Sequence, residues 1–305
     1  FDGVARTDAA GFTIGNKGYI CGGYNGKTTR LADTWEYDID NDWWTQRADM
    51  PGTVRNAATG FPVGNKGYIT TGYNPDQKYL ADTWEYDPET NTWRQMDDFK
   101  GGARYYALGF GIDNYGYVGT GYNDNYLKDF YRFDPTAAAG SQWTIVNGFG
   151  GQKRQGATAF VIDGKAYVCG GQNNNSDVSD FWRFDPSAAT PWTQLRDIAN
   201  TSDDDYDDDY TSIVRSYGVS FVIDGKAYLT LGSTAGGSYY SNYWIYDPET
   251  DLWEGDDLTA FEGSTRIHAV CFSTGTRGII ATGGSGSSSY FDDTWELKPY
   301  EYEEE

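Results

Sequence analysis

The sequence predicts an all-β protein assembled from six copies of one unit, and three observations carry that reading. A hydrophobic strand closed by glycine recurs as YICGGY, YITTGY, YVGTGY, YVCGGQ, YLTLGS and IIATGGS, with the glycine at Gly23, Gly72, Gly121, Gly171, Gly232 and Gly283. The spacings are 49, 49, 50, 61 and 51 residues, a range that marks a repeat architecture. Large rings on a turn-rich backbone must supply the packing, because 17% of the chain is aromatic, with 26 Tyr and 39 Gly against only 2 Met. Finally, Asp-Gly stands between hydrophobic runs in IDGK at 162–165 and again at 223–226, a strong hairpin signal because both central residues of that turn need positive φ.

Each unit reads as four short strands. The first follows an arginine, as in RNAATGFPV and RQGATAFVI, and a tight turn leads into the second, which ends at the glycines. The third is DTWEYD, or its variants DFYRFD, DFWRFD, NYWIYD and DTWELK, whose aromatics alternate with period two and so leave one face buried. The fourth starts at a second tryptophan, Trp44, Trp93, Trp143, Trp192 or Trp253, after a Pro-Glu-Thr or similar turn. On this reading Trp84 and Trp93 pack between units, while Asp82, Glu85 and Asp87 serve turns, strand ends or solvent.

These residues resemble the kelch repeat family: paired glycines close the second strand, an aromatic follows in the third, and a Trp comes about six residues after its closing Asp. The resemblance spans essentially the whole chain and implies a six-bladed β-propeller, residues 1–305 forming one domain with four antiparallel strands per blade around a channel. Four-stranded sheets with two apolar faces need neighbours, and ring closure protects them. The last repeat departs from the pattern. After DTWELK the chain runs PYEYEEE, and a sixth copy of the second tryptophan would fall near Glu304. Two expectations follow: an incomplete three-stranded blade, or a blade closed by a strand from upstream of Phe1, which aligns with Met50 and Phe99.

Every repeat places an arginine before its first strand: Arg6, Arg55, Arg104, Arg154, Arg215 and Arg266. In a propeller that position lies near the channel mouth, where six planar guanidiniums suit a carboxylate or phosphate. The competing reading has each arginine binding backbone carbonyls or a local acid to tie blades together. The loops between second and third strands are expected on the same face, bringing Tyr24, Tyr73, Tyr79, Tyr122, Tyr126, Tyr239, Tyr240 and Tyr290 with Asn25, Asn74, Asn123 and Asn173. Flat aromatics with amide partners suit a sugar or peptide surface. The sole histidine, His268, stands two residues after Arg266 and is expected to point towards the channel.

The long fourth spacing comes from TSDDDYDDDYTS at 201–212. Alternate carboxylates at Asp203, Asp205 and Asp207 suggest calcium, but the central glycine and distal glutamate of a hand-like loop are missing, so a solvated acidic loop is the competing reading. Lacking a second histidine or a Cys–His spacing, the chain offers no zinc, copper or iron site, unlike the copper oxidases that share the kelch fold. No cofactor fingerprint is present. Cys21, Cys169 and Cys271, an odd count without CxxC spacing, read as buried free thiols.

A net charge of −22 repels phosphate backbones and argues against nucleic acid. No apolar run is long enough to span a bilayer. The start at Phe1 rather than Met, with this acidity, leads to an expectation of export: an extracytoplasmic protein of the periplasm or cell surface, outer-membrane-associated through a lipid anchor upstream of Phe1. The functional expectation is a non-catalytic recognition or assembly module whose arginine- and tyrosine-rich mouth binds a glycan, an acidic peptide or a partner protein. The alternative is implied by similarity to the sialic acid mutarotases of this family. There Arg55, Arg104 or Arg266 would clamp the sugar carboxylate while His268 moves the proton.

Overall fold

Short runs of alternating aromatic and β-branched residues, each bounded by glycine or an Asx turn, fold as antiparallel strands wherever neighbouring sheets can cover both faces. The computed structural model describes residues 1–26, 29–255 and 259–299. Blade 1 is built from Ala10–Ile14, Lys17–Cys21, Thr34–Asp38 and Trp43–Arg47. Blade 2 uses Thr59–Val63, Lys66–Thr70, Thr83–Asp87 and Thr92–Met96. Blade 3 consists of Leu108–Ile112, Tyr115–Gly119, Phe130–Phe133 and Trp143–Val146, and blade 4 of Thr158–Ile162, Lys165–Cys169, Trp182–Phe184 and Trp192–Gln194. Blade 5 comprises Val219–Ile223, Lys226–Thr230, Trp244–Asp247 and Leu252–Glu254; blade 6 has only Val270–Ser273, Gly278–Ala281 and Thr294–Leu297 among the described residues.

Within each blade the strands pair in chain order, and each first strand touches the first strands of both neighbours, blade 6 closing on blade 1. The first strands therefore line the axis of a six-bladed propeller. The Asp-Gly turns behave as their sequence requires, with φ of 49° and 69° at Asp163–Gly164 and 49° and 78° at Asp224–Gly225. The last blade is three-stranded in what is described, and the place for a sixth outer tryptophan, near Glu304, lies outside the described residues.

The core lies between blades rather than within them. Six apolar clusters fill the six junctions; one joins Phe12 and Tyr19 of blade 1 to Ile69 and Tyr86 of blade 2, and another joins Phe272 and Ile279 of blade 6 to Tyr37 and Trp44 of blade 1. A phenylalanine of each first strand lies flat over a very small residue of the adjoining second strand. An ideal Cβ on Gly67 would sit 2.0 Å from the Phe12 ring, and the same relation holds at Gly116 with Phe61 (2.2 Å), Gly278 with Phe221 (2.2 Å) and Gly18 with Phe272 (2.3 Å). Blades 4 and 5 carry Ala166 and Ala227 there, each fully buried.

Two closed circuits of backbone hydrogen bonds run around the axis. The amides of Gly23, Gly72, Gly121, Gly171 and Gly232 donate to the carbonyls of Arg55, Arg104, Arg154, Arg215 and Arg266 over 2.8–3.0 Å, and Gly283 completes the circuit onto Arg6 at 2.9 Å. Nearer the axis, Ala57 donates to Asp8, Tyr106 to Ala57, Gly156 to Tyr106, Tyr217 to Gly156, His268 to Tyr217 and Asp8 to His268, over 2.8–3.3 Å. The junction between blades 6 and 1 thus carries the same bonds as the other five. It adds Trp44 Nε1 donating to Thr294 Oγ1 at 3.1 Å.

Candidate functional site

The six arginines do not meet at the mouth. All six are essentially inaccessible, at 0–1% exposure, and each guanidinium turns back into its own blade. In every blade Nε donates to the carbonyl two residues before it and Nη1 to the carbonyl sixteen residues after it. In five blades the guanidinium also pairs with the aspartate that opens the third strand: Arg6 with Asp33, Arg55 with Asp82, Arg104 with Asp129, Arg154 with Asp180 and Arg266 with Asp293. Asp82 is therefore an ion-pair partner rather than a turn residue, and Glu85 is 4% exposed, accepting from Tyr68 Oη at 2.7 Å. Burial works to raise the carboxyls of Asp33, Asp82 and Asp293, but the arginine bonds overcome it and hold all three below the ordinary range. Of the two readings of the arginines, tying the blade together is the one that describes this geometry.

Arg215 differs. Its third-strand partner is Asn242, which accepts through Oδ1 at 3.1 Å and through its carbonyl at 3.3 Å, so this buried cation has neutral hydrogen-bond partners. Burial pushes its pKa down to about 10. All five of its N–H groups are nonetheless used, with Ser212 O accepting at 2.6 Å.

The residues that do face the axis stand two positions after each arginine: Asp8, Ala57, Tyr106, Gly156, Tyr217 and His268. All six have positive φ, between 49° and 64°. That left-handed residue breaks the strand alternation, which is why His268 reaches the channel and Arg266 does not. The backbone carbonyl-to-amide circuit fixes this floor of the mouth, and a cavity of about 130 Å³ is lined by these six and by Ala9, Ala58, Ala107, Ala157, Gly218 and Ala269. Asp8 Oδ1 accepts from Tyr106 Oη at 2.5 Å and lies 3.1 Å from His268 Nδ1. The His268 ring stacks on Tyr106 (centroids 4.9 Å apart, 19° between planes) and packs on Tyr217 at 4.3 Å.

Burial lowers the His268 pKa more than neighbouring Asp8 raises it, so the ring is neutral at pH 7. His268 Nδ1 lies beside the Asp8 carboxylate, and the tautomer protonated at Nδ1 leaves Nε2 as an acceptor. Burial, and then the charge of Asp8, raises the Tyr106 phenol well above its ordinary value, so it stays a donor. Tyr217 Oη accepts from Gln155 Nε2 at 2.8 Å and Gln172 Nε2 at 2.6 Å, which leaves its own hydrogen to donate elsewhere.

Above this floor, the residue after each arginine pairs with the residue after the second-strand glycine: Thr7 with Tyr24, Asn56 with Tyr73, Tyr105 with Tyr122, Gln155 with Gln172, Ser216 with Ser233 and Ile267 with Gly284. Tyr24, Tyr73 and Tyr122 are all partly exposed there. They belong to a cluster in which Tyr79 stacks on Tyr105 (5.6 Å, 9°), Tyr105 touches Tyr73 and Tyr122 (5.7 Å each), and Tyr122 touches Tyr126 (5.0 Å). Tyr105 also meets the floor at Tyr106, 4.9 Å away. A cation does stand at the mouth, but it is Arg30: its guanidinium lies 4.5 Å from the Tyr24 ring centre and 5.6 Å from that of Tyr73, and its Nε donates to Asn56 Oδ1. Three buried polar atoms of this layer have no hydrogen-bond partner: Thr7 Oγ1, Gln155 Oε1 and Ser216 Oγ.

Asp8, Tyr106, Tyr217, Gln155 and Arg30 escaped the sequence reading. The first three share the register of His268, two residues past a repeated arginine, and aligning the repeats on that column exposes them.

The acidic insertion lies elsewhere. Asp207, on a single 3₁₀ turn at Asp205–Asp207, is buried and accepts from the amides of Thr201 and Ser202 and from Ser202 Oγ. Tyr210 and Ile213 fill the junction of blades 4 and 5. Among the described residues no three His, Cys, Asp or Glu side chains cluster as a metal site, so Asp203, Asp205 and Asp207 do not form a shared set of ligands. All three cysteines are free thiols, and burial pushes Cys21 and Cys169 up to about 12 and Cys271 up to about 11. Among the described residues no helix is long and apolar enough to cross a membrane.

Comparison with known proteins agrees with the geometry. Residues 4–151 match the KLHDC2/KLHL20/DRC7 Kelch-repeats domain, and residues 153–195 match the Kelch motif. The structure is similar to that of YjhT, with a TM-score of 0.77 and 16% sequence identity over 95% of this chain and 94% of that one. No curated protein matches the chain in sequence.

Proposed function

This chain belongs to the kelch-repeat β-propellers, a scaffold that positions loops without dictating chemistry, and from that premise we propose that its channel mouth is a carbohydrate-binding site. The observation that carries the reading is the combination of a tyrosine cluster at the rim with unsatisfied polar atoms in the same layer. Sugar rings present apolar C–H faces and hydroxyls that both donate and accept. Tyr105, Tyr106 and Tyr217 match the first, while Gln155 Oε1, the Tyr217 hydrogen and the His268 Nε2 lone pair match the second.

The six repeat arginines are spent on their own blades, so they give no support to carboxylate clamping by Arg55, Arg104 or Arg266. Arg30 is a cationic contact available to a ligand at the rim. A buried polar atom left unpaired costs about 1–3 kcal/mol, which a ligand hydroxyl relieves.

A second reading is favoured by the Asp8–His268 pair beside Tyr106. A carboxylate holding a neutral histidine, next to a phenol with a raised pKa, is a base and an acid within one cavity, suited to opening and closing a sugar ring.

The test is titration calorimetry against a panel of mono- and oligosaccharides. Replacing Tyr217→Phe or Gln155→Ala should weaken binding roughly ten- to a hundred-fold in protein that circular dichroism shows to be folded, since each removes a direct polar contact. Binding should also fall as pH drops below the ordinary histidine value of 6.5, because protonation removes the Nε2 acceptor and the depressed pKa places that step on the acid side. Wild-type binding that both variants leave intact would sink the site. Acceleration of anomer exchange, followed by NMR and abolished by His268→Ala, would instead establish the catalytic reading.

A further inference from the structure

Resting on the carbohydrate reading, we propose that Arg30 makes the rim selective for a sugar that carries a carboxylate, a uronic acid in preference to its neutral parent. The chain has thirteen arginines, and eight of them are ion-paired among the described residues. Arg30 carries no such pair. It is partly exposed at the mouth, and its one hydrogen bond runs from Nε to Asn56 Oδ1 at 2.9 Å. Nη1 and Nη2, with four N–H groups between them, are unspent among the described residues.

The guanidinium is nevertheless held before any ligand arrives. The ring centre of Tyr24, its cross-strand neighbour, lies 4.5 Å from it and that of Tyr73 in the next blade 5.6 Å, while the Nε bond limits rotation of the plane. Cation–π contact and one hydrogen bond thus position a fork whose far end is left to bind. A planar carboxylate accepts two parallel N–H bonds from such a fork, which a single hydroxyl cannot do.

The fork occurs once around the mouth. At the equivalent hairpin position the other blades place Tyr79, Tyr126, Asp177, Tyr239 and Tyr290. Tyr73 joins the fork to the aromatic cluster, because the same ring stands 5.7 Å from Tyr105 and 6.4 Å from Tyr79. In a uronic acid the carboxylate is attached directly to the ring, so the ring stays against these tyrosines while the acid takes the fork. A net charge of −22 opposes an anion at long range, but at roughly 0.1 M salt that field is screened beyond about 10 Å, whereas the bidentate contact acts at hydrogen-bond distance. The contact then outweighs the field.

The experiment compares each sugar with its own acid. Titration calorimetry at neutral pH in roughly 0.1 M salt is run with glucose, galactose and mannose and with glucuronic, galacturonic and mannuronic acid. In the pair that binds, the acid should bind roughly ten- to a hundred-fold more tightly than the neutral sugar, the value of a hydrogen bond between charged groups. Arg30→Gln should bring the two within about threefold of each other. So should Asn56→Asp, which keeps the arginine and the shape of its partner but sets a carboxylate against the guanidinium, and which guards against misfolding of the first variant. Arg30→Lys, a charge without the fork, should keep only a minor part of the preference.

Neutral sugars that bind as tightly as their acids overturn the inference while leaving the carbohydrate reading intact. So does a preference that survives Arg30→Gln and Asn56→Asp, or one that Arg30→Lys keeps in full. Absence of binding throughout the panel overturns the carbohydrate reading and this inference with it.

Discussion

At the scale of single residues the protein separates two columns that the sequence places only two apart. The arginine column is scaffold: a fork that binds one carbonyl before it, one after it and an aspartate across the blade. Its recurrence was legible in the repeats, but its direction was not, because the residue two positions later adopts a left-handed conformation and strand alternation no longer predicts which side chain faces the channel. Five of the six residues there are not glycine, and such a conformation costs of order 1–3 kcal/mol each. The closed circuit of amides through those same residues is what holds them in place. Blade 5 gives the sharpest residue-level prediction. Arg215 is buried with Asn242 where five other blades have aspartate, so Asn242→Asp converts a neutral contact into a charge-assisted one. Desolvating the new carboxylate offsets part of that gain, but four other bonds already hold the guanidinium in place, and we expect a net stabilisation of about 1 kcal/mol. Denaturant unfolding reads it directly. A loss of stability would mean that the Asn242 Nδ2 bond to Ser212 Oγ matters more than the missing charge.

At the scale of strands, the sequence stated what each element is but not why its small residues are small. The Lys-Gly-Tyr and Lys-Ala-Tyr starts of the second strands read as ordinary turn exits. The reason for glycine or alanine there lies one blade away, in the phenylalanine that lies over the position. Such a contact joins residues 55 or more apart, as in Phe12–Gly67, and leaves no local pattern. Gly67→Val should therefore destabilise by about 1–3 kcal/mol, since its Cβ would stand 2.0 Å from the Phe12 ring and the junction has little room to yield. Combining it with Phe12→Leu should recover part of the loss, whereas β-propensity alone predicts that valine improves the strand. The acidic insertion was likewise half legible. Its charges were visible, but its use of Tyr210 to accept the Trp253 amide and fill the junction of blades 4 and 5 was not, because anchoring depends on where the outer strands end in space.

At the scale of the whole molecule, two electrostatic effects oppose each other and salt decides between them. The attractive pairs that hold five of the six blades have arginine side chains at 0–1% exposure, so mobile ions screen them little. The repulsion comes from a net charge of −22 spread over the ring, including the exposed aspartates of the 201–212 insertion, and those charges are open to solvent. Raising ionic strength from roughly 0.01 M to 0.15 M shortens the screening length from about 30 Å to about 8 Å. Repulsion between blades then falls away while the buried pairs persist. Ring closure amplifies the difference, because each junction carries the same backbone circuit and like charge on neighbouring blades strains them together. We therefore expect the melting temperature to rise with added sodium chloride over this range and then to level off. A fall over the same range, measured by calorimetry, would show that exposed ion pairs such as Lys17–Asp38 and Lys226–Asp247 contribute more to holding the ring than the acidic surface does to opening it.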